Sequence, residues 1–170
     1  MKTPEDLKEF ATYVGKGLIT TEYIKLNNAI DCSSLANFET IVFGIPNSIS
    51  NTYFKGTLDG NEKSISNLSV KGKGLFYTDS NAPIKITKLT LDNLTVTGPN
   101  GSSGEIGAIA SDIHSGDVIE GCVVKNSHIT CENSFGNPWI GGIVGANYGG
   151  AITNCIVEDT EITASTDNTT

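Results

Sequence analysis

Three stretches, ITKLTLDNLTVT (86–97), IEGCVVKNSHIT (119–130) and ITNCIVEDTEIT (152–163), repeat one pattern, with Ile86, Ile119 and Ile152 evenly spaced along the chain. A shorter relative, ISNLSVKG, begins at Ile65, a smaller step ahead of Ile86. Upstream of these segments lie GLFY from Gly74, GAIA from Gly107 and GGIV from Gly141. Stacking the stretches gives apolar columns: Ile65, Ile86, Ile119 and Ile152; Leu68, Leu89, Cys122 and Cys155; Val70, Leu91, Val124 and Val157. Further columns hold Leu94, Ser127 and Thr160, then Val96, Ile129 and Ile162, and then Phe76, Ile109 and Ile143. Within each repeat the members of successive columns lie mostly two or three residues apart, the spacing of short strands with one buried face. Thr90, Val123 and Ile156 fall between them and point outward.

Gly72, Asn93, Asn126 and Asp159 form another column, between two strand segments. Glycine, asparagine and aspartate tolerate left-handed backbone at modest cost, so this column predicts a sharp corner in every coil. Strand, left-handed corner, strand, at a fixed period, describes a parallel β-solenoid. The fold expected is all-β: a β-helix of three-sided coils, each of about 21 to about 33 residues. About five such coils, stacked at the ordinary strand spacing, make a rod on the order of 25 Å long. The longer coils carry loops at GPNGSSGE (98–105) and ENSFGNP (132–138).

Residues 3–14, TPEDLKEFATYV, predict a capping helix. Thr3 is the N-cap, Pro4 the first helical residue, and Glu5 and Asp6 suit the positive end of the dipole. Leu7, Phe10, Ala11 and Val14 give one apolar face, which closes the exposed strand edges of the first coil. The expected organisation is one domain over 1–170, with the helix at 3–14, coils over 18–163 and a flexible polar tail at 164–170. That tail lacks any capping device, so the chain reads as a piece of a longer one. No apolar stretch follows the start MKTPEDLKEF, so no signal peptide is visible: the protein is either cytosolic or a mature segment whose signal sequence has been removed, and the second is expected.

Composition excludes several classes of partner. The 170 residues carry nineteen acidic side chains against eleven basic ones, all lysine, for a net charge of −8. A chain without arginine forks and with a negative surface is poorly equipped for nucleic acid or an anionic membrane. No apolar run approaches the roughly 18 residues of a membrane span.

Candidate chemistry is sparse. Cys32, Cys122, Cys131 and Cys155 lack metal-site spacing and read as small core residues. His114 lies in the loop SDIHSG, and His128 faces outward on the rung below Glu161. Asp92, Lys125 and Glu158 alternate in sign down one outward column, a charge ladder rather than the converging carboxyl pair of a glycosidase. LDGNE (58–62) reads as a tight turn and lacks the acidic alternation of a calcium loop. The threonine column Thr97, Thr130 and Thr163 is not doubled, because its neighbour reads Thr95, His128, Glu161; ice binding is not indicated. No catalytic residue, metal ligand or cofactor site is expected. The remaining surface is a small-residue strip of Ala108, Ala110, Gly142 and Val144, flanked by Trp139 and Tyr148. Apolar strips with aromatic edges mark recognition surfaces, and aromatic faces stack on sugars; the alternative is that the loop at 132–138 folds over this strip.

TPEDLKEFATYVGKG, IKLNNAIDCS, FKGTLDGNEKSISNLSV, GLFY and the rounds ending in IGGIVG resemble bacterial surface proteins built from GLUG-type repeats, over about Thr3 to Thr163. The resemblance implies a right-handed parallel β-helix on secreted or cell-surface proteins often described as adhesins. Similar repeats flank the catalytic region of immunoglobulin A1-cleaving metallopeptidases, whose His-Glu-x-x-His pattern is absent here. The function expected is a non-enzymatic module for adhesion or ligand presentation. The alternatives are a polysaccharide-binding or polysaccharide-active module and an accessory region of a larger secreted protease. Expected partners are a glycan or a cell-surface protein, with end-to-end or side-by-side self-association open to a rod.

Overall fold

The computed structural model describes residues 1–18, 21–35, 38–42, 54–78, 83–99, 104–131 and 138–165. Helix α1 (Pro4–Gly15) comes first, and among the described residues the pairings between strands are parallel, with one isolated antiparallel bridge between His114 and Gly149. One face stacks Tyr23–Lys25, Thr57–Ser66, Lys85–Asp92, Val118–Glu120 and Ala151–Thr153. A second stacks Phe38–Val42, Ser69–Tyr77, Thr95–Thr97, His128–Cys131 and Glu161–Ala164. The third carries Glu105–Gly107 under Trp139–Gly141, then Ala110–His114 under Val144–Tyr148. This is the expected parallel β-solenoid.

The predicted helix is present with its predicted cap. Thr3 Oγ1 accepts the Asp6 N–H at 3.2 Å, and Pro4 opens the helix. The Gly17 N–H donates to Val14 O, the Leu18 N–H donates to Tyr13 O, and Gly17 has φ of 65°, a Schellman ending. Leu7, Phe10 and Val14 are buried, and Phe10 meets Phe54 edge-to-face at 5.7 Å. The helix therefore roofs the first coil with apolar side chains rather than leaving its interior to water.

Two assignments change. The first concerns register: Ile65 lies opposite Leu91, Val70 opposite Val96, and Leu58, not Ile65, opposite Ile86. Each of these steps is longer than the one from Ile65 to Ile86 that the sequence suggested. Two extra residues also enter between Asp59 and Lys63 at the LDGNE turn, where Asn61 and Glu62 have φ of 51° and 59°. SNLSV (66–70) thus matches DNLTV (92–96), which is also the better match in letters. The corner column is accordingly Asn67, Asn93, Asn126 and Asp159, with φ between 45° and 56°. Gly72 has positive φ too, but it lies beyond this corner, past the pairing of Lys71 with Thr97. The second change is at the end of the chain. Ala164 closes the last strand and the Ser165 N–H donates to Cys131 O, so only 166–170 of the expected tail lie outside the described residues. Half of the loop at 98–105 (residues 100–103) and most of that at 132–138 (residues 132–137) also lie outside them.

The corner is built twice over. The backbone N–H groups of Asn67 and Asn93 donate to Asp92 O and Lys125 O in the following coil. Their side-chain amides point the other way: Asn67 donates to Asp31 at 2.9 Å, Asn93 to Asn67 at 2.7 Å, and Asn126 to Asp92 at 2.8 Å. A second left-handed corner runs through Lys88, Gly121 and Asn154, with φ of 50°, 63° and 53°. Asn126→Val places a β-branched residue in left-handed backbone and deletes the bond to Asp92. It should cost about 2 kcal/mol, read as a lower denaturation midpoint, against well under half of that for Asn126→Gly.

The same amides set an acid limit. The Asn67 amide, with the Ser33 backbone N–H, holds the Asp31 carboxyl below its usual range; the Asn126 amide, with Lys125 3.4 Å away, does so for Asp92. Both groups ionise more readily folded than unfolded. Their contribution is complete above the unfolded value of about 3.9 and is lost as pH falls through the lower folded values. Denaturation midpoints between pH 2 and 6 should show a decline below about pH 4, shallower in Asn67→Ala/Asn126→Ala.

Inside the rod, Ile30, Ile65, Leu91 and Val124 form a buried column, as do Leu58, Ile86 and Ile119, and Val70, Val96 and Ile129. In the last described coil the corresponding Ile152, Val157 and Ile162 are 37–44% exposed, because they have a neighbouring coil on one side only. Buried Cys32 and Cys122 have thiols pushed up to about 11 and about 12 by burial, so they pack as small hydrophobes and not as thiolates.

Candidate ligand-binding face

The third face turns sharply between Gly107 and Ala110 and again between Gly141 and Val144. Only glycine fits at the start of each bend. A Cβ on Gly107 would stand 2.2 Å from Ala110 O, and one on Gly141 would stand 2.0 Å from Val144 O. This explains the recurrent glycine at the head of GLFY, GAIA and GGIV, since a Cβ on Gly74 would likewise meet Gly107 O at 2.3 Å. The bend sends two short strands away from one corner, and their outward side chains converge beside it.

The predicted strip divides there. Ala108 and Ala110 are fully buried, a correction to the expectation that they line the surface. The tight turn points their small side chains into the core, where Phe76 lies opposite Ala110. Val144 packs against the core from its edge, and a Cβ on Gly142 would meet the Val157 side chain at 2.9 Å. Trp139 and Tyr148 are the exposed members, at 54% and 47%, and they come together with ring centroids 6.3 Å apart at 45°.

The parallel register adds residues that sequence reasoning had not grouped with them. Trp139 lies opposite Glu105 on the rung below, and Tyr148 opposite His114. The His114 and Tyr148 rings stack at 5.4 Å with planes 17° apart. The Tyr148 hydroxyl donates to Glu105 Oε1 at 2.9 Å, and Lys73 Nζ lies 3.8 Å from Glu105 Oε2. Burial opposes ionisation of Glu105, but its own backbone N–H, the Tyr148 hydroxyl and Lys73 outweigh this and hold its carboxyl below the usual range. The bond to the Glu105 carboxylate raises the Tyr148 hydroxyl in turn.

Behind the rings lies a buried polar layer. Asp112 accepts from the Ser111 hydroxyl through one oxygen and meets His114 Nε2 at 3.0 Å through the other. Asp117, 1% exposed, accepts the Ile84 N–H and the His114 N–H, both at 2.8 Å. The imidazole is therefore fixed at its ring by Asp112 and at its backbone by Asp117, and it fixes Tyr148 by stacking. SDIHSGD (111–117) carried that signal in its closely spaced polar residues, but nothing local to it names Tyr148 or Glu105 as partners.

The other candidates stay apart from this face. His128 Nε2 and Glu161 Oε2 form an exposed pair 2.8 Å apart on the second face. Lys125 lies between Asp92 and Glu158 in register, as the charge ladder requires. Among the described residues no three His, Cys, Asp or Glu side chains gather as metal ligands, and no helix is long and apolar enough to cross a membrane.

No curated protein and no solved structure matches the chain. Residues 137–163, the last coil together with its Trp139 strand, match the family model of the GLUG motif, and the chain is a parallel β-helix that carries this repeat.

Proposed function

We propose that this β-helical repeat module is non-enzymatic and works in adhesion on a secreted or cell-surface protein, presenting the Trp139–Tyr148–His114 face to a ligand. The observation that carries the reading is the exposed aromatic pair held on a rigid backing. Trp139 and Tyr148 are solvent-facing rings whose positions are set by strand register, the 5.4 Å stack on His114 and the bond to Glu105. Large rings on fixed strands engage a partner with little loss of conformational freedom. The absence of arginine and the net charge of −8 weigh against polyanionic partners. A cleaving role is less well supported by these residues. Both Asp112 oxygens are engaged by Ser111 and His114, and Glu105 is shared by Tyr148 and Lys73, so neither carboxyl is poised as an acid facing an open cleft.

The test is retention of the chain on arrayed glycans and cell-surface proteins, beside Trp139→Ala/Tyr148→Ala. Because both side chains are exposed but Tyr148 also bonds Glu105 and stacks on His114, the double variant should stay folded with its stability lowered by about 1–2 kcal/mol. Its retention should fall about tenfold or more, the usual cost of removing aromatic anchors. Release of reducing or unsaturated sugar ends from a polysaccharide would overturn the non-enzymatic reading, and unchanged retention would overturn the assigned face.

A further inference from the structure

We infer that the Trp139–Tyr148 face takes a neutral pyranose glycan; this rests on the ligand-presenting reading above and adds the ligand's chemical class. His114 stacks on the Tyr148 ring, so the half-exposed indole of Trp139 is the main open aromatic surface of this face. A pyranose ring offers C–H groups on its flat faces and hydroxyls around its rim. An indole plane matches the former through dispersion and the positive C–H edges meeting its negative face. The rim needs donors and acceptors beside the plane. Glu105 supplies an acceptor: it lies opposite Trp139 in register, and a carboxylate has about four lone-pair sites, more than its own backbone N–H, Tyr148 and Lys73 use. The Lys73 ammonium, 3.8 Å from Glu105, brings donors to the same edge.

Two other chemistries also use aromatic faces, and the surroundings disfavour both. A quaternary ammonium gains from an aromatic wall when a carboxylate nearby lacks a counter-charge. Here Glu105 already has Lys73, and Asp112 lies behind His114 with both oxygens engaged. An acidic sugar would approach a chain of net charge −8 and would meet the Glu105 carboxylate at the rim.

Trp139 is the chain's one tryptophan, so its emission reports the site directly. The full chain is titrated with cellohexaose, xylohexaose, mannohexaose and maltohexaose, and separately with trigalacturonate and tetramethylammonium chloride at matched ionic strength. The expected result is a saturable change in emission with at least one neutral oligosaccharide and none with the acid or the ammonium. Calorimetry then compares variants whose denaturation midpoints match the parent. Trp139→Ala should weaken binding of that oligosaccharide at least tenfold, and Trp139→Phe, which keeps a flat ring, should recover most of it. Saturation by trigalacturonate or tetramethylammonium alone, no response to any neutral oligosaccharide, or neutral binding unchanged in Trp139→Ala would each overturn the assignment. If retention on an arrayed protein still depends on Trp139 while no neutral oligosaccharide binds, the ligand class is wrong and the module reading stands. If neither depends on Trp139, both fall.

Discussion

Gly107→Ala should cost at least about 3 kcal/mol and loosen the third face of the rod, because the new methyl group meets only backbone. Its Cβ would stand 2.2 Å from Ala110 O, 2.6 Å from Val144 Cα and 2.8 Å from Gly145 N. None of these is the far end of a flexible side chain. The first belongs to the chain's own turn, and the other two belong to the coil stacked above it. Relief therefore means opening the bend or separating two rungs, and either movement breaks parallel pairing between Ala110–His114 and Val144–Tyr148. The damage should spread to the aromatic face, since Tyr148 is placed by that pairing. Chemical denaturation gives the stability loss, and Trp139 emission in the absence of denaturant reports whether the face has shifted. Gly15→Ala is the matched control. Its Cβ meets nothing within 4 Å at the end of α1, so the change should be neutral or stabilise by up to about 1 kcal/mol.

Asp117→Leu should be nearly as damaging, at about 3 kcal/mol, for a different reason. The carboxylate spans two coils, accepting from the Ile84 N–H on one and the His114 N–H on the other. A leucine fills similar space but leaves both donors without an acceptor at a site that is 1% exposed. Asp117→Asn keeps one acceptor oxygen and should lose about half as much. The distinguishing readout is hydrogen exchange at the amides of Ile84 and His114. Both should exchange faster in Asp117→Leu, while the corner amides of Asn67 and Asn93 keep most of their protection. Because His114 carries the stack on Tyr148, ligand retention should also fall in Asp117→Leu, although the residue does not reach the surface.

Much of this architecture is legible in the letters, and the legible parts share a cause. Asn93, Asn126 and Asp159 recur at one offset because left-handed backbone rejects most other residues at each corner. Ile86, Ile119 and Ile152 recur because each coil must put an apolar residue at the same point of the interior. The helix cap at Thr3 is local to four residues, and so was readable directly. Where the period is constant, as on the first two faces from Lys85 onward, residue numbers alone give the register. Where it is not, they mislead: the similar letters of Ile65 and Ile86 suggest a pairing, but Ile65 meets Leu91 and Val70 meets Val96, which puts Asn67 rather than Gly72 beside Asn93.

The candidate face shows the opposite balance. Trp139 and Tyr148 stand out in a sequence as large rings among small residues, but the strip expected between them is half interior. Ala108 and Ala110 read as surface because small residues carry weak burial signals. Their inward direction follows from the bend at Gly107, which breaks the strand alternation on which such a reading depends. Lys73, Glu105, His114 and Tyr148 come from three successive coils. No spacing rule selects these four from the chain's other lysines, acids and aromatics.

The sequence by itself thus determined the repeat, the buried columns, the left-handed corners and the capping helix, because each follows from a local backbone demand or a fixed period. Only the tertiary structure decided the register of the early coils, the burial of Ala108 and Ala110, and the meeting of Trp139, Tyr148, His114 and Glu105. Parallel stacking sets residues a whole coil apart in the chain about 4.8 Å apart in space. Which residues meet across that gap depends on every insertion and bend between them.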